Sequence, residues 1–276
     1  MEPRCAAQQL ADRYAATGNV AAVVLAGSLG RGRADAFSDV ELDVYWAQPP
    51  SDDQRQAPAL ALKGEITTLW PYDAEDAEWS EDVRVLGVDV TVSGFAVDEI
   101  DRWILTLPTA NKPHFVRQMR LSAIHEGEPL HGESVVAQWR NAAAYPGGLA
   151  VATAASFLTP SRLTRWRRWT ALVQRDDAVM LHRACSEAAE VLMGTLCALN
   201  QLYIEHPSFK WARHTAEGFT RAPKDFSARF FAAVADGPVK GAPELHALLV
   251  ETVEIVAADL PEVDTASVDK MLNSRS

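Results

Sequence analysis

Val20 to Ala26 is an unbroken apolar run of strand length, and from Asp39 to Trp46 the chain alternates acidic with apolar residues. A run that is apolar at every position belongs in a strand covered on both faces, whereas period-two alternation makes a strand with one polar face. Between them lies Gly27-Ser28-Leu29-Gly30-Arg31-Gly32-Arg33, with three glycines in six residues. Glycine reaches backbone conformations closed to other residues, so this segment is free to turn tightly and expose its N–H groups. A buried strand, a glycine turn and an acid-faced strand in that order require a sheet, and the N-terminal part of the chain is expected to be an α/β lobe.

The rest of the chain divides on texture. Residues 4–17 read as a short amphipathic helix ended by Gly18-Asn19, and Pro49-Pro50-Ser51-Asp52-Asp53 breaks the chain after the acid-faced strand. Strand-like stretches recur near Leu60–Trp70 and Val83–Phe95, with an acidic loop from Asp73 to Asp82. From about Val97 the patterns are helical: roughly 111–126, 134–143, 148–157, 161–174, the long segment 176–205, 224–235 and 242–259. No internal repeat or low-complexity tract occurs. The expected architecture is an α/β lobe with a mixed sheet over residues 1–107, followed by an all-helical bundle over 108–276, with the seam near Leu105–Ala110.

Composition excludes several classes. With 48% hydrophobic residues the chain can bury enough surface to offset its conformational entropy, which rules out disorder. Cys5, Cys185 and Cys197 form no CxxC pair, and three thiols in 276 residues indicate a reducing compartment rather than a disulfide framework. Met1 to Cys5 lacks the basic stretch and apolar run of a signal peptide, and no segment approaches the roughly 20 apolar residues of a membrane span. A cytoplasmic protein, monomer or homodimer, is expected. The net charge of −11 is unevenly placed: residues 1–100 hold 18 acidic against 7 basic side chains, and the remainder holds 19 of each. An acidic lobe repels nucleic-acid backbones and attracts cations. Seven histidines show no HExxH or paired metal spacing, so zinc is not expected.

The chemistry concentrates between Gly27 and Asp43. A glycine turn after a buried strand is an anion cradle, and the Ser28 hydroxyl adds a donor, with Arg31 and Arg33 beside it. Asp39, Glu41 and Asp43 stand at i, i+2 and i+4, which puts all three carboxylates on one face. Carboxylates so placed repel unless cations lie between them, and Mg²⁺ prefers oxygen ligands bridged to phosphate. An anion cradle facing a carboxylate pair is the arrangement that a metal-bound nucleoside triphosphate needs.

Gly27-Ser28 followed by Ser38-Asp39-Val40-Glu41 resembles the signature of the polymerase-beta-type nucleotidyltransferases. The run Gly27-Ser28-Leu29-Gly30-Arg31 with Ser38-Asp39-Val40-Glu41 is particularly similar to the antibiotic-adenylylating members, the kanamycin nucleotidyltransferases among them. The resemblance implies two Mg²⁺ ions held by Asp39, Glu41 and a third carboxylate from a later strand. Asp89 is the choice there, with Glu65 as its rival and Asp43 peripheral. It implies that Gly27, Ser28 and Arg31 contact the triphosphate. It also implies a general base, either Glu190 or Glu187 on a helix of the second lobe, with Asp89 as the alternative to both. Asn200, Tyr203, Lys210 and Trp211 stand where some relatives carry similar residues, which would bring Lys210 to the triphosphate or to the departing pyrophosphate.

The function so implied is transfer of a nucleoside monophosphate, AMP from ATP, to a hydroxyl of a small molecule, with release of pyrophosphate. Acidity of the first lobe suits a cationic acceptor such as an aminoglycoside or a lincosamide. Two alternatives stay open: a transferase acting on tRNA or protein, and a nucleotide-binding regulator without turnover. Arg162, Arg165, Arg167, Arg168 and Arg175, interleaved with Trp166 and Trp169, could serve an RNA backbone or pair with acids at a domain seam.

Overall fold

A computed structural model describes residues 2–109 and 112–274. The chain forms two compact units, one running to Leu107 and resuming over Met119–Ala144, the other comprising Pro108–Gln118 and Tyr145 onward. The first unit is built on a six-stranded sheet of β1 (Val20–Leu25), β2 (Val40–Trp46), β3 (Glu65–Leu69), β4 (Trp79–Val85), β5 (Val88–Ala96) and β6 (Glu128–His131). Their order is β3-β4-β5-β2-β1-β6, with β2 and β5 parallel and the other neighbours antiparallel. The sheet is therefore mixed.

Its helices are α1 (Pro3–Ala15), a single turn α2 (Gly27–Gly30), α3 (Asp52–Ala61), α4 (Val97–Thr106), α5 (Phe115–Glu126) from Met119 onward, and α6 (Glu133–Ala142). Alternation decides which face each strand residue serves. Val40, Leu42, Val44 and Trp46 of β2 join Leu10 and Tyr14 of α1, Ala59 of α3 and Val83 and Val85 of β4 in one core. Each such aliphatic side chain contributes about 1.5–3 kcal/mol by leaving water. The intervening residues, Glu41, Asp43 and Tyr45, face the other way. There Tyr45 packs on Phe95 of β5 and Trp139 of α6, with ring centres 5.9 and 4.8 Å apart.

The segment 119–144 therefore belongs with the sheet, although its helical pattern assigned it to the second lobe. It supplies edge strand β6, which pairs with β1, and it supplies α6, whose Trp139 covers Tyr45. The expected seam at 105–110 runs into Ala110, which lies outside the described residues. Two local expectations also change. The break at Pro49–Asp53 starts a helix: Ser51 and Gln54 form a reciprocal capping box at the head of α3, with Asp52 and Asp53 in its first turn. Leu60 therefore belongs to α3, and β3 begins only at Glu65. The stretch Val83–Phe95 is a hairpin of two strands, its corner formed by Leu86 and Gly87 in left-handed conformations.

The second unit carries α7 (Gly147–Phe157), α8 (Trp169–Gln174), α9 (Ala178–Leu199), α10 (Ala212–Glu217), α11 (Phe226–Ala235), α12 (Pro238–Asp259) and α13 (Ala266–Asn273). Its core is aliphatic and aromatic, drawn mainly from α9, α11 and α12. Among the described residues, no helix is long and apolar enough to cross a membrane.

Candidate active site

The turn after β1 is one helical turn, α2, entered through Ala26 in an extended conformation and Gly27 at φ +59°. The opening N–H groups of a helix have no acceptor within it. Gly27 and Ser28 are buried, and the Ser28 hydroxyl makes no hydrogen bond among the described residues. The turn is fixed to β2, because the Ala26 N–H donates to the Glu41 carbonyl over 2.9 Å. It is fixed again by contact, since a β-carbon on Gly27 would come within 2.7 to 2.9 Å of the Glu41 carboxyl atoms. A β-carbon on Gly30 would collide with the Leu25 carbonyl. Both glycines are thus demanded by space.

Downstream, Asp35 and Ser38 lock the loop: the Asp35 N–H donates to Ser38 Oγ, and Ser38 Oγ donates back to the Asp35 carboxylate. This closure leaves Phe37 at 96% exposure and delivers Asp39 to the head of β2. Asp39 is exposed and Glu41 half-buried, and neither side chain is engaged in a hydrogen bond or ion pair among the described residues. Two hard oxygen donors with free lone pairs suit Mg²⁺, which takes one or two carboxylates and fills its remaining positions with phosphate and water. Among the described residues, no three His, Cys, Asp or Glu side chains gather into a metal cage.

Asp89 is not drawn to that pair. It is 73% exposed and ion-paired with Arg84 of β4 at 3.0 Å, its partner across the β4–β5 register. Glu65 lies exposed at the start of β3, opposite Arg84 in register. Arg31 also has a different place from that expected. Its Nε donates to Glu126 over 2.7 Å and its guanidinium to Ser122 Oγ over 3.0 Å, so it ties the glycine loop to α5.

Asp43 is the largest departure. Expected at the periphery, it is 2% exposed, and its Oδ2 has no hydrogen-bond partner. Burial pushes its carboxyl up to about 7; Arg120 opposes this, while Glu78 and Glu41 add to it. Arg120 of α5 is ion-paired with Glu78 and stands over the Phe95 ring at 5.0 Å. Glu78 accepts further hydrogen bonds from Ser80 and Ser93 hydroxyls, at 2.8 and 2.7 Å. These polar residues lie beside a cavity of about 530 Å³. Trp70 and Tyr72 line it, with the carboxylates of Asp73, Asp76, Glu78 and Asp82. Thr91, the register partner of Glu41, opens onto the same cavity and donates to Asp82 over 2.8 Å. Thr91 therefore links the cavity to the carboxylate strand through the β2–β5 register.

Comparisons with known proteins add little. No family model matches the chain, and no curated protein matches it. Among solved structures, a nucleotidyltransferase-like protein from Exiguobacterium sibiricum aligns with a TM-score of 0.39 and 15% identity, over 94% of this chain and 78% of that one.

The candidates on the second unit divide by engagement. Glu187 of α9 accepts the backbone N–H of Arg165 over 3.0 Å and is ion-paired with its guanidinium. Glu190, one turn on, is exposed, and its side chain makes no hydrogen bond or ion pair among the described residues. Asn200 caps α9: its side chain donates to the Leu196 and Arg221 carbonyls and accepts from the Thr220 and Arg221 N–H groups. Lys210 is exposed in a turn between Phe209 and Trp211, both in left-handed conformations.

Glu78, Arg120 and the depth of Asp43 escaped the sequence. Glu78 sat in a stretch read as an acidic loop, and Arg120 in a helix assigned to the other lobe. The i, i+2, i+4 spacing did place Asp43 on the right face.

Proposed function

We propose that the chain is a Mg²⁺-dependent nucleotidyltransferase that moves AMP from ATP to a hydroxyl of a small cationic acceptor and releases pyrophosphate. The observation carrying this reading is the closeness of Glu41 to Gly27, which sets one uncommitted carboxylate, two residues from that of Asp39, directly against a helical turn with open N–H groups. Asp39 and Glu41 would hold the metal, and two bound ions would neutralise charge on the attacking and leaving oxygens. The chain's own part is positioning. Gly27 and Ser28 hold the phosphate chain, and Asp39 and Glu41 orient it while the acceptor hydroxyl gives up its proton to a general base. Asp89 and Lys210 are secondary in this scheme, the one already paired with Arg84 and the other exposed on a turn.

The acceptor class follows from the cavity beside β2. Four carboxylates outnumber its single arginine, and that arginine is already paired with Glu78. Trp70 and Tyr72 add ring faces that attract cations. An aminoglycoside or lincosamide carries both the amines and the hydroxyls this lining selects.

Pyrophosphate release, measured with Mg²⁺ and each of the four NTPs against aminoglycosides, lincosamides and total tRNA, tests the reading. The expected result is release that needs one small cationic acceptor and disappears in Asp39→Asn. Release dependent on tRNA alone would move the assignment to the nucleic-acid alternative. Nucleotide binding that Asp39→Asn leaves unchanged, with no release on any acceptor, would sink the transferase reading.

A further inference from the structure

The second unit has its own cavity, of about 600 Å³, formed where the turn Trp166–Arg168, α8 and the start of α9 come together. Its charged lining is four arginines, Arg165, Arg167, Arg168 and Arg175, against one carboxylate. That carboxylate, Asp177, is the N-cap of α9 and accepts the Met180 N–H. Arg165 is held by Glu187. The other three arginines make no side-chain hydrogen bond or ion pair among the described residues.

The sequence explains the surplus. From Ser134 to Arg175 there is no Asp or Glu and there are six arginines, in a chain whose net charge is −11. The arginines also stand on a firm base. Trp166 and Leu163 are buried, and Trp166 stacks on Trp169 with ring centres 5.8 Å apart. Uncompensated guanidinium groups gathered around one concavity repel each other, and an anion between them relieves that repulsion. The planar guanidinium fork matches phosphate oxygens two at a time. A concavity of this size suits a small ligand, whereas nucleic acid calls for an extended basic stripe.

We propose that this arginine cavity binds a compact phosphate chain, carried by a nucleoside polyphosphate or free as pyrophosphate, at a site distinct from the Asp39–Glu41 turn. It stands apart from the function proposed for the first unit. Isothermal titration of the full chain in EDTA, with ATP, inorganic pyrophosphate and a single-stranded RNA as probes, tests it. The expected result is saturable binding of ATP or pyrophosphate without Mg²⁺, weakened at least about tenfold by Arg167→Gln with Arg168→Gln, the size of one lost charge-assisted bond. ATP binding more tightly than pyrophosphate assigns the ligand to a nucleotide, and equal affinities assign it to the phosphate chain alone. A circular-dichroism melt shows whether the double variant is folded, and Arg175→Gln serves as a second, independent variant. The proposal is overturned if neither phosphate probe binds. It also fails if binding survives both arginine variants, or if only RNA binds, with a steep dependence on salt.

Discussion

The Glu41 carboxylate lies against the α-carbon of Gly27, leaving 2.7 Å between Glu41 Cδ and the position a β-carbon would take. Gly27 is also at φ +59°, a conformation that costs an alanine roughly 1–2 kcal/mol. Gly27→Ala should therefore lower stability by about that amount and push the Glu41 carboxylate out of place. Misplacing a metal-ligating group by an ångström should cost about 100-fold in turnover. Thermal melts and the pyrophosphate assay read the two effects separately. A variant that is destabilised but fully active would show that Glu41 does not need its seat on Gly27.

Asp39 and Asp89 both stand on the acid-bearing face of the sheet by alternation, yet only Asp39 is uncommitted. Asp89 is largely solvated and already balanced by Arg84. Asp39→Asn should abolish release, a loss of at least about 1,000-fold for a group that neutralises transition-state charge. Asp89→Asn should stay within about tenfold of the parent, as expected for a solvated ion pair of small worth. Equal losses in both variants would restore Asp89 as a metal ligand.

How far the sequence could be read follows from which signals are local. The order of Val20–Ala26, the glycine turn and Asp39–Trp46 is visible because strand periodicity and glycine geometry act within a few residues. The return of 119–144 to the sheet is not local. A helix pattern shows that Arg120 and Trp139 are helical and leaves open which surface they cover, and β6 is only four residues long. Asp43 illustrates the same limit. Its face was set by counting from Asp39, whereas the charges around it are Arg120 of α5 and Glu78, supplied by distant parts of the chain. The capping box of α3 was legible in Ser51 and Gln54, but the preceding prolines masked it.

A second buried ion pair lies on the opposite face of the sheet. Arg55 of α3 donates to Glu81 of β4 through Nε at 2.9 Å and through Nη2 at 2.6 Å, and Tyr14 of α1 donates to the same carboxylate over 3.1 Å. Both partners are almost wholly buried. Removing one of them strands a charge, so Arg55→Met should cost about 3–5 kcal/mol in urea denaturation. Arg55→Met combined with Glu81→Leu removes the stranded charge and should recover most of that loss. A single variant that loses less than about 1 kcal/mol would mean the pair is solvated in solution, as surface pairs are.

His246 of α12 gives the second unit a defined response to acid. Its ring lies 5.3 Å from Trp169, its Nδ1 is buried without a partner, and burial lowers the imidazole below its usual 6.5. Burial disfavours the protonated ring in the folded protein, while the unfolded chain takes up a proton as pH falls through about 6.5. The contribution is therefore complete above that value and is lost progressively as pH drops toward the lowered folded value. Asp43, pushed up to about 7, gains stability over the same range, so the test is a difference: between about pH 7.5 and 5 the melting temperature of His246→Phe, which cannot be protonated there, should fall less or rise more than that of the parent. Parallel slopes for parent and variant would show that other groups carry the acid sensitivity and that His246 is protonated in the folded protein as readily as in the unfolded chain.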